Sequence, residues 1–289
     1  MTIHDALTQA AVRLKDAGVA EDRIEAEAML AVAMGTNRAG VVARMREELD
    51  EGAGTEFRLM VDRRVTREPV QYIFGYEVFR DMPFRVTPDV LIPRPETEIL
   101  VMAAVRLLKR YTTPLVADIG TGSGCIAVSV AAANPDAVVY AVDSSWAALE
   151  VAKGNAERNG VSGRVWFLHG DLLAPLDDTA LRGGFDMILS NPPYIPSREV
   201  DGLQPEVRFE PRPALDGGWD GLDAVWRLIS GAPSYLRPGG LLIAEIGFEQ
   251  ADAVKALVDE EPALEYMDIL PDFAGIERVL IAVRIERAT

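Results

Sequence analysis

Asn191, Pro192, Pro193 and Tyr194 follow directly on the apolar run Phe185–Asp186–Met187–Ile188–Leu189–Ser190. Two consecutive prolines lack backbone N–H groups and fix φ, so the chain leaves its strand as a rigid, extended arm. That arm carries the Asn191 amide, bare carbonyl oxygens and the ring of Tyr194. Acceptors in a rigid array beside an aromatic face suit a planar substrate that bears an NH2 group: an adenine, a cytosine or a carboxamide. A Pro-rich turn after a core strand is the competing reading of the tetrapeptide taken alone.

A second cluster stands upstream, in Val116–Ala117–Asp118–Ile119–Gly120–Thr121–Gly122–Ser123–Gly124. It follows a strand and opens a helix, where glycines let a ligand approach the backbone at the carboxyl edge of a sheet. Asp143 ends the next strand, about 20 residues on, where a carboxylate accepts from ribose hydroxyls. NAD and S-adenosylmethionine both fit this geometry. The dinucleotide pattern wants a glycine where Cys125 stands; the spacing Gly-x-Gly-x-Gly after Asp118 is that of class I methyltransferases. Asp171, in Gly170–Asp171–Leu172, sits where such enzymes accept from an adenine amino group, or is a turn or cap aspartate.

These clusters need a sheet to hold them. From Pro114 the pattern alternates strand and helix, with strands at Leu115–Asp118, Val138–Asp143, Val165–His169, Asp186–Ser190 and Leu241–Ile246. Such alternation argues for a parallel, doubly wound α/β sheet. A final pair, Leu264–Leu270 and Arg278–Val283, flanks Gly275 and suits an antiparallel hairpin. Residues 1–70 read as a small helical bundle: Ile3, Leu7, Ala10 and Leu14 keep helical spacing up to Gly18, and Ile24, Ala28, Met29 and Val32 repeat it up to Gly35. From Tyr72 to Val86 the pattern turns strand-like, so 71–90 reads as a hairpin linker and 91–289 as the sheet domain. Pro95, Glu96 and Glu98 suit the first turn of a helix. The stretch 195–221 is long and rich in Pro, Gly and charge, which marks a functional or a mobile loop.

Composition removes whole classes. The formal net charge of −16 counts against a phosphate backbone as substrate. Cys125 is the single cysteine, and His4 and His169 are far apart in sequence, so a disulfide, a metal site and a Ser/His hydrolase are not expected. Met1–Ala10 lacks a signal pattern and no apolar run reaches spanning length, so a cytoplasmic protein without membrane contact is expected.

The chain resembles the HemK/PrmC family of protein-(glutamine-N5) methyltransferases over nearly its full length. Glu68–Pro69–Val70–Gln71–Tyr72–Ile73–Phe74–Gly75 is similar to the segment that leaves the family's helical domain. Leu91–Ile92–Pro93–Arg94–Pro95–Glu96–Thr97–Glu98 is similar to its signature block, Asp118–Ala127 to its cofactor loop, and Asn191–Tyr194 to its substrate motif. Glu210–Gly218 is similar to the loop that follows, with Pro213 and Trp219 standing where the family pattern has Leu and an acidic residue.

The resemblance implies a class I methyltransferase sheet, mostly parallel with an antiparallel C-terminal strand, beside an N-terminal helical bundle and a β-hairpin. It implies S-adenosylmethionine as cofactor, held by Gly120, Thr121, Gly122, Ser123, Gly124, Asp143, Asp171, Leu172 and Asn191. The substrate it implies is the Gly-Gly-Gln glutamine of class-1 peptide chain release factors, held by Asn191, Pro192, Pro193 and Tyr194. By the same resemblance Asn191, Pro192 and Tyr194 would carry the chemistry, without a metal. The bundle and loop 195–221 would grip the protein partner, and the enzyme is expected to be a monomer with no direct nucleic-acid contact. Three alternatives stand beside this reading: a ribosomal-protein glutamine as substrate, a nucleic-acid adenine-N6 as substrate, and a catalytically silent cofactor-binding scaffold.

Overall fold

The computed structural model describes residues 1–178 and 181–286. Positions 179, 180 and 287–289 of the expected sheet domain 91–289 lie outside the described residues. The chain divides into two compact units: Met1–Tyr76 together with Gln204–Phe209, and Glu77–Leu203 together with Glu210–Thr289.

The first unit holds five helices: α1 (Ile3–Asp16), α2 (Asp22–Ala33), α3 (Arg38–Ala43), α4 (Glu51–Val65) and α5 (Val70–Phe74). Side chains start three of them. Thr2 and Asp5 form a reciprocal capping box on α1, Asn37 caps α3, and Asp50 accepts from Gly52 and Ala53 at the head of α4. The apolar faces meet in one core built on Ile3, Leu7, Leu14, Met29, Leu30, Val41, Phe57 and Val61. Arg64 is buried there, paired with Glu25 at 2.5 Å and with Glu206 at 2.9 Å. Arg67 adds two bonds to the same Glu206, at 2.6 and 2.7 Å. Burial opposes charge on Glu206, yet the two guanidiniums hold its carboxyl down to about 2. Tyr72, expected to begin a strand, lies in α5. Pro69 starts that single helical turn and Gly75, at φ +78°, stops it.

The second unit begins one residue into the hairpin β1 (Tyr76–Phe79) and β2 (Met82–Arg85), followed by α6 (Thr97–Leu108). Then come β3 (Leu115–Ile119), α7 (Cys125–Ala133), β4 (Val138–Asp143), α8 (Trp146–Arg158), β5 (Val165–His169) and β6 (Phe185–Ser190). The short α9 (Ser197–Val200) and α10 (Asp223–Gly231) lead to β7 (Leu236–Glu245), α11 (Ala251–Glu260), β8 (Leu264–Pro271) and β9 (Glu277–Arg284). The sheet order is β5-β4-β3-β6-β7-β9-β8, parallel from β5 to β7, with β9 antiparallel to both β7 and β8. This is the expected class I methyltransferase arrangement. β6 is buried along its whole length, so its sequence is a continuous apolar run rather than an alternation. Its one carboxylate, Asp186, accepts from the Leu115 amide at 2.7 Å and pairs with Arg237 at 2.5 Å. β7 starts earlier than the expected Leu241, because a bulge between Phe185 and Met187 absorbs the extra residues after Leu236.

The topology places the chemistry. The chain runs from β3 outward to β5, then returns to lay β6 on the other side of β3. At such a reversal the loops after neighbouring strands diverge and leave a crevice at their carboxyl ends. Ile119 is in register with Ser190, and Ser190 with Ala244. Gly120, Asn191 and Glu245 are therefore the next residues on three adjacent strands, at a strand spacing of about 4.8 Å.

Candidate active site

A cavity of about 600 Å³ opens at this crevice, within the size range of small-molecule sites. Gly120, Thr121, Gly122, Ser123, Asp143, Asp171, Leu172, Asn191 and Pro193 line it. Gly124, Pro192 and Tyr194 stand outside that lining. Gly124, at φ +81°, begins α7 with its Cα packed so near Ala152 that a Cβ would approach it to 3.0 Å. Pro192 is buried and Tyr194 turns its hydroxyl inward.

The glycine loop is braced by its own neighbours. The amides of Gly120 and Thr121 both donate to the Val142 carbonyl at 2.9 Å. Asp143 accepts from the Gly122 amide at 2.8 Å and from the Ser145 amide at 2.9 Å, which fixes its carboxylate plane at the cavity wall. Asp118 is fully buried beneath the loop. Its Oδ2 accepts from the Thr121 hydroxyl at 2.6 Å and the Ala127 amide at 3.0 Å. Its Oδ1 has no partner, and burial pushes the carboxyl up to about 7 against the pull of those two bonds. An orphaned carboxylate oxygen under a glycine loop favours a cationic ligand above it. A Cβ on Gly120 would meet no protein atom within 4 Å, so the loop's open face is turned to ligand space. Asp171 also reaches the cavity, held at 2.5 Å by Arg227 of α10.

The Asn191–Tyr194 arm is braced from far away in sequence. Asn191 Nδ2 donates to Thr97 Oγ1 at 3.1 Å, and Thr97 Oγ1 donates to Glu245 Oε2 at 2.6 Å. The Tyr194 hydroxyl donates to Glu245 Oε1 at 3.3 Å. Burial pushes Glu245 up to about 7 against these two donors, and burial likewise raises the Tyr194 phenol. Gln250 Nε2 donates to the carbonyls of Tyr194 and Gly221, at 3.0 and 3.2 Å. Segment 195–221 is extensively bonded: Ile195 and Leu215 share a backbone bond, as do Gly217 and Ile195 and Ser197 and Gly218. A Cβ on Gly217 would come within 2.8 Å of Tyr194 Cα, so only glycine lets this segment lie against the arm. Glu210 is buried, takes Arg94 at 2.5 Å and accepts from the Ile92 amide at 3.3 Å. That pair ties two of the sequence blocks together, although burial still raises the Glu210 carboxyl.

Sequence reading missed Glu245, Gln250 and Asn155. Glu245 had a signal: it is a carboxylate that ends the apolar run Leu241–Ala244 at the carboxyl edge of the sheet. Asn155, buried in α8, bonds the Ser123 carbonyl at 2.8 Å and both backbone groups of Arg85; nothing in its local sequence marks it. Among the described residues no cluster of His, Cys, Asp and Glu is arranged to hold a metal ion. Likewise, no described helix is long and apolar enough to cross a membrane.

Comparison with known proteins supplies a family. The PrmC N-terminal domain family matches residues 5–75, and the methyltransferase small domain family matches residues 97–203. A release factor glutamine methyltransferase of Moorella thermoacetica is 46% identical over 99% of this chain and all of its own. One of Geobacter sulfurreducens is 44% identical over 92% of this chain and 91% of its own. Among solved structures, a ribosomal protein L11 methylase from Lactobacillus delbrueckii subsp. bulgaricus aligns with a TM-score of 0.50 and 23% identity, over 73% of this chain and 90% of that one; this likeness concerns the fold.

Proposed function

We propose a reaction from a premise that the relatives establish: the chain belongs to the release factor glutamine methyltransferase family. It is a methyltransferase whose cofactor is S-adenosylmethionine, which supplies an electrophilic methyl group on a sulfonium sulfur. The cationic ligand favoured by Asp118, and the ribose acceptor offered by Asp143, agree with that molecule. The acceptor is the side-chain amide nitrogen of a glutamine in a peptide chain release factor, and specifically the glutamine of its Gly-Gly-Gln tripeptide. The observation that carries this reading is identity of 46% across essentially the entire chain, with the Asn191–Tyr194 arm starting level with the glycine loop on the adjacent strand.

The chemistry asks for positioning. An amide nitrogen shares its lone pair with its carbonyl and is a poor nucleophile. Asn191 Oδ1 and the Pro192 carbonyl each accept one N–H of the substrate amide. Holding both N–H groups fixes the orientation of the nitrogen and lowers the barrier by restricting its approach. The same acceptors favour the positive charge that develops on nitrogen. The extra proton of the product leaves to water. Residues 1–70 contribute nothing to the cavity lining, whereas loop 195–221 lends it Pro211, Pro213, Ala214 and Asp216; together they supply the surface that recognises the release factor. The enzyme works as a cytoplasmic monomer and does not engage nucleic acid directly.

Mass spectrometry of a purified class-1 release factor, incubated with the protein and S-adenosylmethionine, tests the proposal. One added methyl on the glutamine of the Gly-Gly-Gln peptide is expected. An unmodified peptide, with methyl label going instead to a ribosomal protein or to nucleic acid, would overturn it.

A further inference from the structure

We propose that Thr97 and Glu245 are positioning residues that decide which end of the Asn191 amide faces the substrate. The inference rests on the role given to Asn191 above and goes beyond it. A threonine hydroxyl has one proton to give. Thr97 gives its proton to Glu245 Oε2 at 2.6 Å, so toward Asn191 it can only accept. Asn191 must then turn its NH2 to Thr97, as the 3.1 Å contact shows. Its oxygen is left as the acceptor for the cavity that Asn191 lines. A substrate amide nitrogen needs that acceptor. An Asn191 turned the other way would set NH2 against NH2.

The relay is built into the fold. Thr97 is the first residue of α6 and Glu245 the last of β7, and each is 1% exposed, so no solvent competes for these bonds. Glu245 lies across from Asn191 because Ser190 and Ala244 are in register. Tyr194 closes the far side by donating to the second carboxylate oxygen, which leaves Glu245 accepting on both oxygens. Asn191 and Tyr194, two residues of one arm, are thereby referred to a single buried carboxylate.

The polarity of the relay depends on Glu245 being ionised. A proton on Oε2 would be donated to Thr97, freeing the Thr97 proton for Asn191 Oδ1 and reversing the amide. The groups that face this carboxylate are Thr97 and Glu96 at the head of α6, Tyr194 on the arm, Arg278 on β9 and Cys125 at the head of α7. Burial raises Glu245 to about 7; Thr97, Tyr194 and Arg278 oppose the rise and Glu96 adds to it. The working form is the carboxylate, so turnover should climb as pH rises through about 7 and fall away below it.

The test uses the full chain with its release-factor substrate. Thr97→Val keeps the shape and removes the hydroxyl; Thr97→Ser restores it. At high pH, Thr97→Val should lower kcat about tenfold, the scale of lost orientation, with KM and the Kd of S-adenosylhomocysteine held within about twofold. It should also flatten the pH dependence of kcat, while Thr97→Ser returns both the rate and the profile. Glu245→Gln should remove the inflection, since an amide does not titrate. A second readout needs no substrate: the side-chain amide resonances of Asn191 should shift through about pH 7 in the unaltered protein and not in Thr97→Val. If Thr97→Val keeps its rate and inflection, or Thr97→Ser fails as badly as Thr97→Val, the relay is overturned. If the Asn191 resonances titrate as expected while release factor gains no methyl, the proposed reaction fails and the relay stands.

Discussion

The two halves of the crevice are braced in opposite ways. On the glycine-loop side, Asp118 bonds Thr121 and Ala127, three and nine residues on, and Asp143 bonds Gly122, 21 residues back. On the arm side, Asn191 reaches Thr97, 94 residues away, Tyr194 reaches Glu245 across 51 residues, and its carbonyl is held by Gln250 across 56. In the proposed reading the glycine loop holds a chemically constant ligand, and apart from Asn155 on the Ser123 carbonyl its bonds come from the strands, turn and helix start beside it. In the proposed reaction the arm presents one acceptor in one orientation to a protein's side chain, and three separate elements fix it. The first half is local sequence made rigid; the second is tertiary structure made rigid.

The largest test of this contrast is Asn191→Ala. Removing an acceptor that acts at the developing charge should cost about 10²–10³-fold in kcat. Cofactor affinity, measured by calorimetry, should be unchanged. Asp143→Ala should do the reverse. It should weaken cofactor binding by roughly 1–3 kcal/mol, the worth of hydrogen bonds to a charged group, with single-turnover rate at saturating cofactor nearly preserved. Gln250→Ala probes the arm more gently. Loss of one carbonyl partner, at about 1 kcal/mol, should lower kcat by about fivefold and leave the cofactor Kd alone. An effect of Gln250→Ala on the Kd as large as that on kcat would blur the division.

Legibility in the sequence followed the same line. Gly120–Ser123 and Asp143 are readable at the cavity because spacing along the chain is spacing in its wall, whereas Gly124 falls outside the lining. The parallel strands were readable because strands such as β6 and the apolar run of β7 are buried on both faces. Asn191 was readable from its two prolines. Thr97 was visible as part of a block, while its partner was not: the bond from Thr97 to Glu245 spans 148 residues and exists only because the head of α6 packs against the end of β7. Gln250 and Asn155 follow the same rule. Tyr72 went the other way, as β-prone residues between Pro69 and Gly75 made one helical turn under the control of their caps.

Each half also buries one carboxylate that titrates near neutrality, Asp118 and Glu245. Both sit above their ordinary values, so the folded state holds protons that the unfolded chain has released. Their contribution to stability is present below the ordinary carboxylate range and is lost as pH rises through about 7. Thermal melting of the ligand-free protein should therefore fall modestly from about pH 5 to about pH 8. Glu245→Gln should remove part of that slope. Adding S-adenosylmethionine, a cation, should reduce the share that belongs to Asp118. A slope of the opposite sign would show that neither carboxylate is held protonated by the fold.

The division between the halves is tested most directly by a double-mutant cycle on Asp143→Ala and Asn191→Ala. Cofactor Kd and the single-turnover rate of methyl transfer to release-factor glutamine are measured for all four proteins. Asp143→Ala should move the Kd alone and Asn191→Ala the rate alone. The double variant should show both losses, additive within about 0.5 kcal/mol. A coupling well beyond that, or an Asn191→Ala protein that binds cofactor as poorly as Asp143→Ala, would contradict the account.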